Sequence, residues 1–563
     1  MNIANKNVNW YFLAFVIFIA GYSILMLAWT NLAPTDDYVF IHTLQIGNPY
    51  LYYTVPPPGY DNLTKMGRLA ILGDIEYNLP VFFSKSPAAF WYYLIHVFQY
   101  LIVMILLVKI LKKFTSNKFL IYATPILLSL FPGIAIAFFR THMAEKNLLF
   151  YYTIFLYFYL KYLEKPKLYY LILGVISAGI AINIKENAFI AVGAFAFFHL
   201  VLSWLKNRSN SNKSLHQENG LKIFDSLVLL GCLTYLSVYY FAVYRHIERG
   251  AFLYGQVPYN HVLVFIKLLL NYGLFSDPIL ILIALPFTAW RVIQFLRHKI
   301  ELHPVYDSML LAGSMFIMGY LALNMFAPNY LLPAYVFILP PLIYFFNQKE
   351  ARTIFWKVVA GIAGIALVFN VFPTGIHIIT YFKYLSYNFN KTLDFIVKDV
   401  NSNHPNQRAN MFIDALDPNG GTPEYYIFTE FLQYKGLSWT RFDFKSDTKA
   451  DDSVPRQVNN YVSRMPFTFY QENKAYKIIK GDYLIITPDS VAKNITPAYI
   501  ESLGKDYDLV FQTKSPLAFP NINLKTLAKY ILASRLTQKQ KEEGLMVNEN
   551  LIESPNYYVF VHK

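Results

Sequence analysis

Residues 10–38 read WYFLAFVIFIAGYSILMLAWTNLAPTDDY, from Trp10 to Tyr38. The apolar part, 10–29, is as long as a bilayer-crossing helix needs, about 20 residues. Pro34-Thr35-Asp36-Asp37 follows at once, so two carboxylates stand where hydrocarbon meets water. Ionisable groups beside a membrane helix are costly there and are retained for function. Lys6 precedes the run as in a signal peptide, but the run is long for that role. The one candidate cut, after Ala33, has Asn31 two places upstream and Pro34 next, so an uncleaved span is expected.

The rest of the chain extends the pattern. Of 563 residues, 55% are hydrophobic and only 15% charged, against about 25% charged in soluble domains. Further apolar runs fall near 90–108, 119–139, 148–163, 168–184, 188–205, 223–244, 279–296, 309–326, 330–346 and 354–376, which predicts about eleven crossings. His261–Phe275 is short, carries Lys267 and ends at Asp277-Pro278, as suits an interfacial helix. Net charge is +14, and residues 1–376 hold 27 basic against 15 acidic residues. With the N-terminus inside, 18 of those 27 fall on inner segments, among them Lys109, Lys112, Lys113, Lys161, Lys206 and Arg291. The positive-inside rule is obeyed in this register. The basic excess therefore marks membrane orientation and contact with membrane lipids, with no nucleic-acid partner expected. An odd number of crossings puts the C-terminal part outside.

Residues 377–563 read differently. Leu385, Phe389, Leu393, Ile396 and Val400 recur at helical spacing. Met411–Ala415, Tyr483–Thr487, Leu509–Gln512 and Tyr557–Val561 are short β-rich runs, with helical patterns at 424–434 and 524–535. An extracytoplasmic α/β domain is expected here, after a membrane domain of 1–376 whose first outer loop spans 31–89. The single cysteine, Cys232, excludes an intramolecular disulfide framework. Neither a zinc-type Cys/His cluster nor a GxGxxG, P-loop or GxSxG motif occurs.

Charged residues gather on the outer side. The first outer loop closes with Ser84-Lys85-Ser86-Pro87, before Phe90-Trp91-Tyr92-Tyr93. Arg140-Thr141-His142-Met143-Ala144-Glu145-Lys146 forms the next outer turn, then Lys185-Glu186-Asn187, Arg245-His246-Ile247-Glu248-Arg249 and Ala327-Pro328-Asn329-Tyr330. Taken singly, Lys85 reads more readily as a snorkelling anchor than as a ligand contact, and Lys185-Glu186 reads equally as a local neutral pair. Together, acids and bases held at one depth suit sugar transfer. A carboxylate takes the acceptor hydroxyl's proton, and nearby cations neutralise the departing phosphate. A lipid-borne donor needs no nucleotide fold.

In this order the motifs resemble the GT-C superfamily of membrane glycosyltransferases, especially the branch of protein O-mannosyltransferases and the lipid A aminoarabinose transferase. That family places an acidic pair after its first span, here Asp36-Asp37, and Lys-Pro-Pro or His-Pro-Pro before its second, here Lys85-Ser86-Pro87. Arg140 to Glu145 is similar to its short Arg/Glu turn, and Lys185-Glu186 to its Lys-Glu turn. Its late Arg-Tyr-Leu-Leu-Pro is matched by Asn329-Tyr330-Leu331-Leu332-Pro333, where asparagine replaces the arginine.

The resemblance implies a GT-C-like polytopic α-helical fold and an inverting transfer from a polyprenyl-phosphate sugar to a hydroxyl of an envelope glycan, lipid or protein. It assigns general base to Asp36 and acceptor orientation to Asp37. Donor-phosphate contacts fall to Lys85, Arg140, His142, Lys185 and Arg245, and substrate contacts to Glu145, Glu186 and Tyr330. No cofactor is certain. Relatives with pyrophosphate donors use a divalent cation, and the two acids leave that option open. Abundant Lys, Asn, Tyr and Phe suggest a bacterium of AT-rich genome, hence the inner membrane with the C-terminal domain in the periplasm. Two other readings compete: a lipid-linked sugar flippase or transporter, and a polysaccharide polymerase or ligase with a pyrophosphate-linked donor.

Overall fold

The first apolar run forms α1, Trp10–Leu27, whose first turn is capped by the Asn9 side chain accepting from the Phe12 amide at 3.3 Å. In the computed structural model the described residues are 9–35, 37, 41, 69–73, 76, 79–80, 88–209, 215–246, 261–348, 353–405, 407–414, 423–447, 475–488, 497–533 and 555–563. Asp36 and Lys85 lie outside them.

The helices continue with α2 (Ala89–Phe114), α3 (Lys118–Ser129), α4 (Pro132–Phe139), α5 (Ala144–Glu164), α6 (Leu168–Ile182), α7 (Ala188–Ser209) and α8 (Leu215–Ala242). After α9 (His261–Asn271) a π-helical turn leads to Asp277, and a second one, Ile279–Ala284, runs into α10 (Leu285–Leu296). Then come α11 (Pro304–Ala322), α12 (Ala334–Phe346), α13 (Ile354–Ala366) and the long α14 (Phe372–Asn403). Among the described residues seven helices are long and apolar enough to cross a membrane. The pair α3 and α4 makes an eighth if it counts as one span, and Leu168–Ile182, Val262–Ser276 and Ala334–Phe346 are shorter apolar helices. Apolar side chains such as Ile24, Leu296 and Ile354 are exposed on these helices, as in an integral membrane protein.

The run 119–139 is broken. Its halves meet at 61°, because Pro132, which has no N–H, starts a new helix at its first position. Gly375 in α14 lies against this break, and a Cβ there would stand 1.8 Å from the Leu130 carbonyl oxygen. Only glycine lets the two backbones approach so closely.

One helix runs through the expected boundary at 376. The face of α14 carrying Leu385, Phe389, Leu393, Ile396 and Val400 is buried. It packs against a sheet of order β2-β1-β3-β5-β4, made of β1 (Ala409–Asp414), β2 (Phe442–Phe444), β3 (Tyr483–Ile486), β4 (Tyr507–Gln512) and β5 (Tyr558–His562). β1 pairs in parallel with β2 and β3, and β5 is antiparallel to β3 and β4. Helices α15 (Pro423–Tyr434), α16 (Pro497–Leu503) and α17 (Leu524–Ala533) complete this part. Its core continues into the bundle, because Leu32, Ile41, Tyr92 and Tyr93 belong to the same buried cluster as Phe389 and Phe431.

Candidate active site

The segment after α1 carries the acid pair, and the second acid is fully buried. Asp37 Oδ2 accepts the Ala33 amide at 2.7 Å and the Thr141 hydroxyl at 2.8 Å. The first bond closes the turn that begins at Pro34. The second ties it to the α4–α5 connection, whose neighbouring residues are Arg140 and His142. Arg140 ends α4, with its guanidinium carbon 5.7 Å from the Phe382 ring centre on α14. His142 is half-buried in the same connection. The acid segment and the Arg-Thr-His turn are therefore neighbours in space. Asp36 precedes Asp37 directly in the chain.

A second group lies at the same end of the bundle. Glu145, in the first turn of α5, forms a buried ion pair with Lys185 from the α6–α7 turn. The Lys185 ammonium stands 4.4 Å from the Tyr330 ring centre and 5.7 Å from that of Tyr320. Tyr330 and Tyr320 stack with centroids 5.0 Å apart. Burial works against the charged Lys185, but the Glu145 carboxylate outweighs it and holds the ammonium's pKa well above the usual lysine value. Asn329, the residue in the arginine position, donates its side-chain amide to Met143 Sδ at 3.5 Å.

A polar chain starts next to Glu145 on α5. Lys146 pairs with Glu76 of the segment between α1 and α2, and Gln99 Nε2 donates to Glu76 Oε2 and Asn147 Oδ1, each at 3.0 Å. Glu186 is half-buried and within electrostatic reach of Tyr235 and Tyr239 on α8. Arg245 is exposed on the short turn Tyr244–His246. The described contacts bring it to neither group.

Lys383, which sequence reading passed over, is built into the site's edge. It is buried on α14 and donates to the carbonyls of Met26 at 2.6 Å and Ala28 at 2.7 Å. Those carbonyls belong to the last turn of α1, where intrahelical partners run out. Its ammonium also faces the Tyr93 ring at 4.9 Å, and Tyr93 Oη donates to the Phe139 carbonyl at 3.0 Å. Its only signal in the sequence is a lone lysine among Tyr381, Phe382 and Tyr384, which snorkelling explains equally.

An apolar cleft of about 290 Å³ runs between α3, α12 and α13, lined by Leu127, Phe131, Ile283, Leu339, Leu367 and Phe372 among others. Among the described residues no three His, Cys, Asp or Glu side chains gather as a metal-binding set.

Among solved structures, the chain is similar to ArnT from Cupriavidus metallidurans, a crystal structure bound to undecaprenyl phosphate. The TM-score is 0.41 and the identity 11%, over 89% of this chain and 96% of that one. No protein-family model matches the sequence, and no curated protein does. The functional reading rests on the geometry of the site.

Proposed function

We propose that this chain is an inverting membrane glycosyltransferase that moves a sugar from a polyprenyl-phosphate donor to an acceptor hydroxyl on the outer face of a bacterial inner membrane. The observation that carries the reading is the Thr141–Asp37 hydrogen bond, 2.8 Å long, which joins the acid segment to the cationic turn. General base and phosphate cation must work across one reacting centre, and this contact brings their carriers together.

In this reading the Asp36 carboxylate takes the proton of the acceptor hydroxyl. The acceptor oxygen bonds to the anomeric carbon as the bond from that carbon to the phosphate oxygen breaks. The electron pair leaves on the polyprenyl phosphate, where Arg140 and His142, with Lys85, neutralise it. Asp37, held by two donors, keeps the acid segment in place and orients the acceptor. Lys185 is engaged by Glu145, so it joins phosphate binding only as that carboxylate yields, and Tyr330 offers a ring for the sugar. The apolar cleft suits part of an isoprenoid tail. The acceptor is an envelope glycan, lipid or protein.

The test uses purified protein in proteoliposomes with a polyprenyl-phosphate sugar. Asp36→Asn is expected to abolish transfer while donor binding persists, and full activity in that variant would rule out the assigned base. Lys85→Ala should slow transfer by roughly 10²- to 10³-fold. Mass spectrometry of envelope glycans from cells with and without the gene would name the sugar and acceptor. Transport of the lipid-linked sugar without any glycosylated product would favour the flippase reading instead.

A further inference from the structure

A second cavity, of about 400 Å³, opens at the opposite end of the bundle. It is framed by the C-terminal ends of α2, α5, α7 and α12 and by the first turn of α11. Helix polarity fixes its distance from the candidate active site. α2 passes beside that site at Tyr93 and ends at this cavity with Lys113 and Phe114, and the stretch from Tyr93 to Lys113 spans roughly 30 Å.

The lining combines two lysines and a histidine with an aromatic wall. Lys113, Lys206 and His303 face the space together with a single acid, Glu164. That acid is already neutralised, being paired with Lys113 and with Lys161. The Lys206 ammonium donates to the Leu302 carbonyl at 3.1 Å, which keeps it at the rim. Tyr306 and Tyr344 meet edge to face at 4.5 Å, with Phe114 on Tyr306 at 4.7 Å. Pro304 opens α11 here, and the first-turn Asp307 carboxylate, paired with Arg291, already accepts the His303 amide at 2.8 Å.

The surroundings narrow the ligand. Lys109, Lys112, Lys118, Lys161, Lys165, Lys167 and Arg208 all lie at this end of the helices. Leu168 and Tyr169 are exposed at the start of the neighbouring α6. Basic pockets between membrane helices on the positive side hold phosphate headgroups of anionic lipids. The cavity has room for a glycerophosphate headgroup but not for a whole phospholipid, whose acyl chains would lie along the apolar helix exteriors.

We infer that the cavity bounded by Lys113, Lys206, His303, Tyr306 and Tyr344 binds the phosphate headgroup of an anionic glycerophospholipid from the leaflet opposite the candidate active site. The inference is independent of the glycosyltransferase reading.

Native mass spectrometry of the full-length protein in detergent tests it, with phosphatidylglycerol and phosphatidylcholine titrated in parallel. One phosphatidylglycerol should be retained in preference to phosphatidylcholine. Lys206→Ala should weaken retention by about fivefold, while Lys206→Arg keeps it. Lys299→Ala, an exposed cation outside the cavity, should change nothing. Val305→Glu leaves the Lys206–Leu302 bond in place and puts a carboxylate into the space, so it should also weaken retention. Equal retention of the two lipids by the native chain would overturn the inference, as would a Lys299→Ala effect as large as that of Lys206→Ala. Displacement of the lipid by millimolar glycerol 3-phosphate would overturn the lipid assignment and identify a soluble phosphate ester as the ligand.

Discussion

Glu145 and Lys185 are 40 residues apart and come from different helices, yet each is the other's counter-charge. In a buried pair the interaction matters less than the cost of losing half of it. Lys185→Met leaves the carboxylate uncompensated and should destabilise the protein by about 3–5 kcal/mol, whereas Glu145→Gln with Lys185→Met should recover much of that loss. Thermal unfolding in detergent reads both. The raised lysine pKa places this contribution fully below the unfolded value of 10.5, so no alkaline loss from this pair is expected before that pH. At Asp277 burial wins over the partners, and the loss falls in a lower pH range. Asp277 accepts from Ser276 Oγ at 2.6 Å and Tyr335 Oη at 3.0 Å, but burial outweighs both bonds and pushes its pKa up to about 7 from 3.8. An acid with a raised folded pKa binds more protons folded than unfolded, so its share of stability falls as pH rises from about 4 to 7. The melting temperature should be higher at pH 5.5 than at pH 8, and Asp277→Asn should flatten that difference. An unchanged slope would show that Asp277 is charged in the fold.

At the scale of elements, local pattern and tertiary geometry part company at the α3–α4 break. Hydropathy over 119–139 reads as one run, because hydropathy does not register direction. Pro132 permits the bend, and Gly375 allows α14 to close on it. Gly375→Ala should therefore cost about 1–3 kcal/mol through overpacking, measured as a lowered unfolding midpoint, while Gly361→Ala, where nothing lies within 4 Å, should be tolerated. Strands β1, β3, β4 and β5 lie where β-rich runs bounded by turn residues were legible. β2 is three residues long, Phe442–Phe444, too short for an alternating pattern to register, and it exists because β1 offers a parallel edge.

For the whole molecule, the consequential feature is the continuity of the C-terminal part with the bundle. α14 carries both, Lys383 fastens it to the end of α1, and Tyr92 and Tyr93 of α2 enter the same buried cluster as Phe389. Phe389 is fully buried between Phe428 and Phe431, with ring centres at 5.1 and 4.9 Å. Phe389→Ala should cost about 3–5 kcal/mol and, although remote in sequence from Asp37, should loosen residues 32–37. Hydrogen exchange of those amides would report it, and unaltered protection would mean that the two parts are mechanically separate.

The sequence by itself determined which segments are apolar helices, the charge bias of their ends, and the placing of two acids directly after the first of them. These follow from composition and periodicity, which act over a few turns of chain. Only the tertiary structure decided that Asp37 receives Thr141, that Lys185 belongs to Glu145 rather than to its neighbour Glu186, that Asn329 turns its amide to Met143, and that Lys383 closes the end of α1. Each of those contacts joins residues far apart in the chain, and a charge buried by folding takes as its partner whichever group the packing of helices brings within reach.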